Sequence, residues 1–280
     1  MNSKTTFLAA VLTAGLLLSA RADEVANQGR AIFKKSQNAI VTVQLVQKVT
    51  MSSGGRSGES QEGKQEITGT VVDPSGLTVL ALSATDPTEM YRRMYGDRYR
   101  AELEVSDVKI LLEDGAEVPA EIVLRDKDLD LAFIRPKIKL TTPMAALDLA
   151  KSSPAQVLDA VVTLNRLGRA AGRSYSASLE RITAVVQKPR TFYIPDSTMT
   201  VTSLGSPAFN LDGSVVGVVV MRTITAGGGG GRQDAATSII LPAEDILKAA
   251  KQAPEAKGDE PKKEEAKGEE PKKEDAKKEN

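Results

Sequence analysis

The chain has 280 residues, and its 37 basic and 37 acidic side chains give a formal net charge of zero, which carries no signature of nucleic-acid binding. It contains no His and no Cys, so a Ser-His-Asp triad, a thiol nucleophile, a disulfide bond and Cys-ligated zinc are excluded. The remaining carboxylates form no recognisable ligand motif, and we expect neither a metal nor a cofactor.

Residues 1–22 have the pattern of a secretory signal peptide. Lys4 supplies the positive charge, residues 7–18 the apolar segment and Ala20-Arg21-Ala22 the cleavage site. The apolar run is shorter than the roughly 18 residues that a membrane span needs, and no Cys follows it for lipid attachment. The pattern predicts an exported protein, periplasmic or secreted, with no integral membrane anchor after cleavage.

The segment from residue 24 to residue 124 reads mainly as strands. Residues 24–38 predict a short amphipathic helix, and residues 39–46 alternate as a strand does. Residues 52–65 are polar and rich in Gly and Ser, which predicts a mobile hairpin loop. Two further strand pairs are predicted, one around the Asp-Pro-Ser-Gly turn at 73–76 and one around the Glu-Asp-Gly turn at 113–115.

Residues 86–105 lie between these two strand pairs and predict an inserted helix. Asp86 suits the N-cap, and Pro87 suits the first helical position. The tyrosines then recur at every fourth position: Tyr91, Tyr95 and Tyr99. Their stripe either packs inward on the rest of the domain, with the arginines solvated, or belongs to a partner-binding surface. That candidate binding surface consists of Tyr91, Arg92, Arg93 and Tyr95.

The second half of the chain again alternates strands and turns. Residues 141–155 predict a linker, and strands are predicted at 159–168, 178–186, on both sides of the turn at 210–213, and at 237–242, followed by a helix over 243–252. The glycines at 227–231 form a flexible run. From residue 254 onward a ten-residue Lys/Glu/Pro repeat without large apolar side chains predicts a disordered tail, residues 254–280.

The stretch Thr202-Ser203-Leu204-Gly205-Ser206-Pro207 resembles the nucleophile region of trypsin-like serine proteases of the HtrA (Deg) type. The family pattern there is Gly-Asn-Ser-Gly-Gly-Pro-Leu, then Asn-x-x-Gly, then a strand with a central Gly. Pro207, Asn210, Gly213 and Gly217 match this pattern. The resemblance places Leu204 at the position of the nucleophile, and a leucine cannot attack a carbonyl.

Other blocks resemble the same family in the same order, over about residues 30–252. Residues 125–135 are similar to the family's Asp-x-x-x-Asp-Leu-Ala-Leu-Leu/Ile-Lys, which places Asp130 at the triad aspartate. Counted from the turn glycine Gly76, the triad histidine falls on Ser83. With no imidazole to orient, Asp130 is left as an acceptor for hydrogen bonds from nearby backbone or hydroxyl groups.

The resemblance implies an all-β fold of two packed antiparallel β-barrels, with short N- and C-terminal helices. We expect the protease-like domain at 23–253, with the N-barrel at about 39–140 and the C-barrel at about 155–242. We expect no PDZ domain after it, although family members often carry one. The triad-equivalent positions, Ser83, Asp130 and Leu204, predict a pseudoprotease that binds peptides or protein partners without cleaving them.

Two alternatives remain open. One is an active endopeptidase with Ser203 or Ser206 as nucleophile and a lysine as base. The other is an inert scaffold whose function lies in the 86–105 insert or in the tail. The identity of the partner, the oligomeric state and the openness of the cleft are not decided by the sequence.

Overall fold

The computed structural model describes residues 24–53, 56–86, 88, 99–196, 203–225 and 234–255. The first six strands within these residues are β1 (Ile40–Ser53), β2 (Arg56–Val71), β3 (Thr78–Ala81), β4 (Tyr99–Leu111), β5 (Glu117–Asp126) and β6 (Leu131–Pro136). The next six are β7 (Ala160–Arg166), β8 (Tyr175–Val186), β9 (Phe192–Pro195), β10 (Pro207–Asn210), β11 (Val215–Thr225) and β12 (Asp234–Pro242).

These strands close into two antiparallel barrels, one with the order β1-β2-β3-β6-β5-β4 and the other with the order β10-β11-β12-β9-β8-β7. Short strands with alternating apolar residues favour this architecture. In a closed barrel, every second side chain of each strand points inward, and these side chains together fill the interior. Strand β6 is buried along its whole length, and Phe133 at its centre is completely buried. The predicted fold class, an all-β pair of packed barrels with short terminal helices, is confirmed.

Three α-helices with described bounds flank the barrels, beside the short 3-10 helices Gln37–Ala39 and Arg169–Ala171. Helix α1 spans residues 24–36, α2 is the single turn Leu82–Thr85, and α3 is Ala243–Ala250. Helix α1 lies on the second barrel: a Cβ on Gly29 would lie 3.7 Å from Cγ2 of Val162, and the Phe33 ring meets that of Tyr175 edge to face at 6.4 Å. Helix α3 buries Ala243, Ile246 and Ala249, the apolar face that its spacing predicts.

The prediction of a mobile loop over residues 52–65 is wrong, because β1 and β2 continue through most of it. Their register runs from Ile40 opposite Thr70 to Ser53 opposite Arg56. On its other side β1 pairs with β4, from Thr42 opposite Leu111 to Ser53 opposite Tyr99. Polar residues remain extended here because both edges of β1 are hydrogen-bonded, so backbone pairing outweighs weak strand propensity. We call this three-stranded extension of the first barrel (46–53, 56–65 and 99–107) the arm.

The prediction of an inserted helix over residues 86–105 is also wrong for the C-terminal part of this range. Residues 99–105 belong to β4, where Ala101, Leu103 and Val105 alternate with polar residues opposite Met51, Val49 and Gln47 of β1. This period of two suits a strand better than a helix. The side chain of Asp86 accepts the N–H of Thr88 at 3.0 Å, as an N-cap residue does. Tyr91, Arg92, Arg93 and Tyr95 lie outside the described residues, as do the signal peptide and residues 256–280 of the tail.

The turns between strands are those that their sequences predict. Gly76 donates to the carbonyl of Asp73 at 2.9 Å, and Gly213 donates to that of Asn210 at the same distance. Both glycines have a positive φ, 95° and 85°, as the predicted turns require. Strand β9 has no counterpart among the predicted strands, because four residues that end in Pro195 give too short a pattern.

Candidate functional site

Ser83 and Asp130, two of the three triad-equivalent residues, are hydrogen-bonded to each other. The Ser83 hydroxyl donates to Oδ2 of Asp130 at 2.8 Å, and the Ser83 backbone N–H donates to Oδ1 at 2.7 Å. Both oxygens of the Asp130 carboxylate therefore accept a hydrogen bond from Ser83.

The backbone around Asp130 sets this geometry. Asp130 ends the turn between β5 and β6 with a φ of 57°, a conformation that Asp tolerates better than most residues. Its carbonyl accepts the N–H of Leu82 at 2.9 Å, while its carboxylate accepts that of Ser83. Helix α2 has no side-chain cap of its own at Ala81. Asp130 thus satisfies the first N–H groups of α2 from a distant part of the sequence.

Asp130 also joins the first barrel to the second. The N–H of Met221, on β11, donates to Oδ2 at 2.7 Å, and Arg222 donates to the carbonyl of Asp128 at 2.8 Å. Burial raises the pKa of the Asp130 carboxyl above its ordinary value, although the donors from Met221 and Ser83 and the charge of Arg222 act in the opposite direction.

Residues 203–206, which resemble the nucleophile loop, form a tight turn against the first barrel. Gly205 has a φ of 86°, and a Cβ at this position would overlap the carbonyl oxygen of Thr68. The Gly205 N–H donates to the carbonyl of Val219 at 2.8 Å, and its own carbonyl accepts the Thr70 hydroxyl at 2.7 Å. Only glycine combines this φ with so close an approach of two backbones.

Leu204 points into the protein from this turn, with 1% of its surface exposed. It therefore contributes to the core, and the position offers neither a nucleophilic atom nor an accessible side chain. The turn itself lies beside the end of β3, directly before α2, because a Cβ on Gly205 would be 3.7 Å from the backbone nitrogen of Ala81.

Strand β11 links the three triad-equivalent positions. Val219 accepts the N–H of Gly205 and donates to Ser206, and two residues later Met221 donates to Asp130. Residues at alternate positions of a strand direct their backbone groups to the same edge, so one edge of β11 contacts both the Leu204–Gly205 turn and Asp130. The sequence missed Met221, Thr70 and Thr68, because these contacts join residues far apart in the chain and leave no local pattern.

The two serines proposed as alternative nucleophiles flank Leu204. Ser206 is completely buried, and its hydroxyl has no hydrogen-bond partner among the residues that the structure describes. Ser203 is half-buried at the start of the turn. Residues 197–202 and 226–233, on either side of this region in sequence, lie outside the described residues.

No group of three or more acidic side chains within the described residues is arranged to hold a metal ion. The same part of the chain has no helix with the length and apolar character needed to cross a membrane.

Comparison with known families agrees with the architecture. No curated protein gives a significant match to the chain. A family model described as the trypsin-like peptidase domain matches residues 67–218, more than half of the chain. The match runs from β2 to β11 and includes Ser83, Asp130 and the Leu204–Gly205 turn. The chain therefore belongs to the family of trypsin-like peptidase domains.

Proposed function

We propose that this protein is a pseudoprotease, a trypsin-like double barrel that binds peptides or protein partners without cleaving them. The observation that carries the proposal is the 2.8 Å hydrogen bond from the Ser83 hydroxyl to Asp130, at the position where a triad would need an imidazole. A serine hydroxyl does not take up a proton near neutral pH, so it cannot serve as a general base.

The nucleophile position supports the same proposal. Leu204 has no atom that can form an acyl-enzyme, and it is buried in the core. When nucleophile and base are both missing, hydrolysis falls to the level that binding and the oxyanion hole alone provide. Asp130 cannot replace the base, because its two oxygens already accept from Ser83 and Met221.

The alternative of a shifted nucleophile has less support. Ser206 is completely buried, and no lysine nitrogen among the described residues reaches its hydroxyl. A nucleophile must be accessible to substrate and must contact its base. Ser203 is the more accessible of the two serines. The labelling experiment below therefore tests chiefly whether Ser203 is reactive.

Peptide binding has a candidate location on β11. This strand pairs with β12 up to Thr225, but its pairing with β10 ends at Val218. Val219 and Met221 direct their backbone groups away from β12, and Thr223 follows the same alternation. An extended peptide could add to this edge at Thr223, with main-chain hydrogen bonds supplying the affinity.

We further propose that the mature protein is exported to the periplasm or secreted. Support comes from the signal-peptide pattern of residues 1–22. Fractionation of cells that express the full chain, combined with N-terminal sequencing, tests this proposal. Uncleaved protein in the cytosol would contradict it.

The test of catalysis is casein cleavage by purified mature protein at high concentration, together with labelling by a fluorophosphonate. We expect no turnover and no label. Ser203→Ala and Ser206→Ala are the matched controls for any signal. Cleavage that persists through purification and is lost in one of these variants would overturn the pseudoprotease proposal.

The test of binding compares Thr223→Pro with Thr223→Ala in a titration with a fluorescent library of unfolded peptides. Proline removes the outward N–H but leaves the pairing with β12 in place, whereas alanine keeps the donor. We expect binding by the wild type and by Thr223→Ala, and a loss of at least about tenfold in Thr223→Pro, since one hydrogen bond and the strand alignment are lost. Equal affinity of all three would exclude this edge.

A further inference from the structure

The outer edge of β2 within the arm has no strand beside it in the described part of the chain. β2 pairs with β3 only at Thr70 and Val71. Between this pairing and the arm, two side chains of β2 contact other parts of the protein. The Gln65 side chain donates to the carbonyl of Ala84, and the Glu66 carboxylate accepts from Arg173 at 2.6 Å. Beyond Gln65, no strand of the described part of the chain pairs with this edge, and an unpaired edge is a template for a further strand.

The charges along this edge are self-complementary. The sequence is Gln61-Glu62-Gly63-Lys64-Gln65. If two copies pair antiparallel with Gly63 opposite Gly63, then Glu62 of each copy faces Lys64 of the other, and Gln61 faces Gln65. Opposite charges directly across a pair of strands stabilise it, and like charges destabilise it.

The outer edge of β4, on the other side of the arm, does not have this property. Its pairing with β5 begins only at Val108, so residues 99–107 have no neighbouring strand on that side among the residues that the structure describes. Glu102 and Glu104 are exposed there. Antiparallel pairing of two copies around Leu103 would place Glu102 opposite Glu104, and repulsion disfavours that arrangement. The charge pattern therefore selects β2.

Within the described residues, the face of the arm at Gly63 is uncovered. A Cβ on Gly63 would meet no atom within 4 Å. On the face of the arm that includes Gly63, Gln47, Val49 and Met51 line an open groove together with residues 61–65. On the opposite face, Lys48 lies across from Glu62. Pairing with a second copy would place its Lys64 on the other side of Glu62. The charges of Lys48, Glu62 and the second copy's Lys64 would then alternate across the sheet.

We propose that a second copy of this chain docks on the outer edge of β2, antiparallel and centred on Gly63, so that the two arms form one continuous six-stranded sheet. Main-chain hydrogen bonds supply the affinity. The exposed Glu62–Lys64 pairs fix the register, because solvent-exposed ion pairs contribute more to specificity than to affinity. The symmetry is that of an isologous dimer.

Charge exchange tests the register. Sedimentation equilibrium of the mature protein should show a concentration-dependent dimer, and Lys64→Glu and Glu62→Lys should each shift it toward monomer by at least about tenfold in Kd, because each creates two like-charge pairs. A mixture of the two variants should form a heterodimer, and the double exchange should restore the homodimer. A dimer indifferent to these changes, or a wild type that stays monomeric at millimolar concentration, would overturn the proposal.

Cross-linking tests the position of the axis independently. The chain has no Cys, so Gly63→Cys introduces a single thiol. Opposed residues of an antiparallel pair have Cα atoms about 4.5–5.5 Å apart, within the range of a disulfide. We expect Gly63→Cys to form a covalent dimer under mild oxidation, whereas Glu104→Cys, on the exposed edge of β4, should remain reduced. Equal cross-linking of both variants would contradict the β2 interface, whatever the outcome of the protease assays.

Discussion

Gly205 holds the turn after Leu204 in a backbone conformation that favours glycine. Its φ of 86° and its contact with Thr68 allow no side chain. Its N–H and its carbonyl bind opposite barrels, through Val219 and Thr70. The turn therefore has a structural role, because it holds the two barrels together.

Replacing Gly205 by Ala should destabilise the protein by more than about 2 kcal/mol, through backbone strain and overlap with the Thr68 carbonyl. The matched control is Gly168→Ala, where φ is −69° and a Cβ would meet no atom within 4 Å. We expect the control to stay within about 0.5 kcal/mol of the wild type. Urea unfolding measures both, and equal stabilities would contradict the described geometry.

We expect Asp130 to contribute more to the free energy of unfolding than the hydroxyl of Ser83 does. Asp130→Ala leaves the N–H groups of Ser83 and Met221 without their acceptor, which should cost about 3 kcal/mol. Ser83→Ala removes one donor and should cost about 1 kcal/mol. The free energy of unfolding of each variant checks this order. A Ser83→Ala variant as unstable as Asp130→Ala would mean that the hydroxyl, not the backbone, carries the interaction.

The pKa of Asp130 also predicts a pH dependence. Because burial raises this pKa above the ordinary value of 3.8, the folded protein keeps a proton that the unfolded chain has already released in the window between the two values. The contribution of Asp130 to the free energy of unfolding is therefore fully present below pH 3.8 and falls as the pH rises through the folded-state pKa. Asp130→Asn does not titrate, so the stability difference between wild type and variant should shrink over this window. A difference that grows with pH would show a lowered pKa.

At the scale of the element, the arm depends on its central strand. β1 is hydrogen-bonded on both sides, to β2 and to β4, so its Val49 lies opposite both Gln61 and Leu103. Each outer strand of the arm has no other strand beside it there, within the residues described. The arm therefore has fewer supports than the barrels and should open before them.

Val49→Pro should open the arm selectively, because proline removes a ladder hydrogen bond and is incompatible with a central strand. We expect faster amide exchange in residues 60–65 and 99–105, while residues 108–111, which also pair with β5, keep their protection. Glu104→Ala, exposed on β4, is the control and should leave the exchange unchanged. Hydrogen exchange with mass spectrometry reads out both variants, and exchange that rises equally in arm and barrel would show that they open together.

Sequence patterns predict the barrel strands well and the arm poorly. The barrels follow from alternating apolar residues and from turns such as that of Gly213, both of which are local signals. Residues 56–65 are a strand because they pair with β1. Residues 99–105, where a helix was expected, are also a strand because they pair with β1. Neither pairing leaves a pattern in the local sequence. At the site, resemblance located Ser83, Asp130 and Leu204, but Met221 and Thr70 could be found only in three dimensions.

At the scale of the whole molecule, the last described residues connect the barrels a second time. Arg135 of β6 is 9% exposed, and its guanidinium donates to the carbonyl of Pro254 at 2.9 Å and to Ser75 at 3.0 Å. Another of its nitrogens lies 3.6 Å from the Glu255 carboxylate. Since α3 precedes these residues and follows β12, the chain crosses from the second barrel back to the first.

Ending the chain after Ala253 should therefore destabilise it by about 1–3 kcal/mol relative to a chain that ends after Glu255, because the buried Arg135 loses a carbonyl acceptor and an ionic partner. Both truncations lack residues 256–280, so their difference isolates Pro254 and Glu255. Thermal unfolding measures it. Identical transition temperatures would mean that water replaces these contacts without cost.

The two ends of the described chain thus each hold the barrel that they do not belong to by sequence: α1 lies on the second barrel, and Pro254 lies on the first. Under mechanical load applied at the two ends, both attachments lie in the path of the force and must break before either barrel can extend. A pulling experiment should accordingly show the rupture of these two attachments before the extension of either barrel. The crossed ends make a mechanical unit of what the sheet order alone would divide into two.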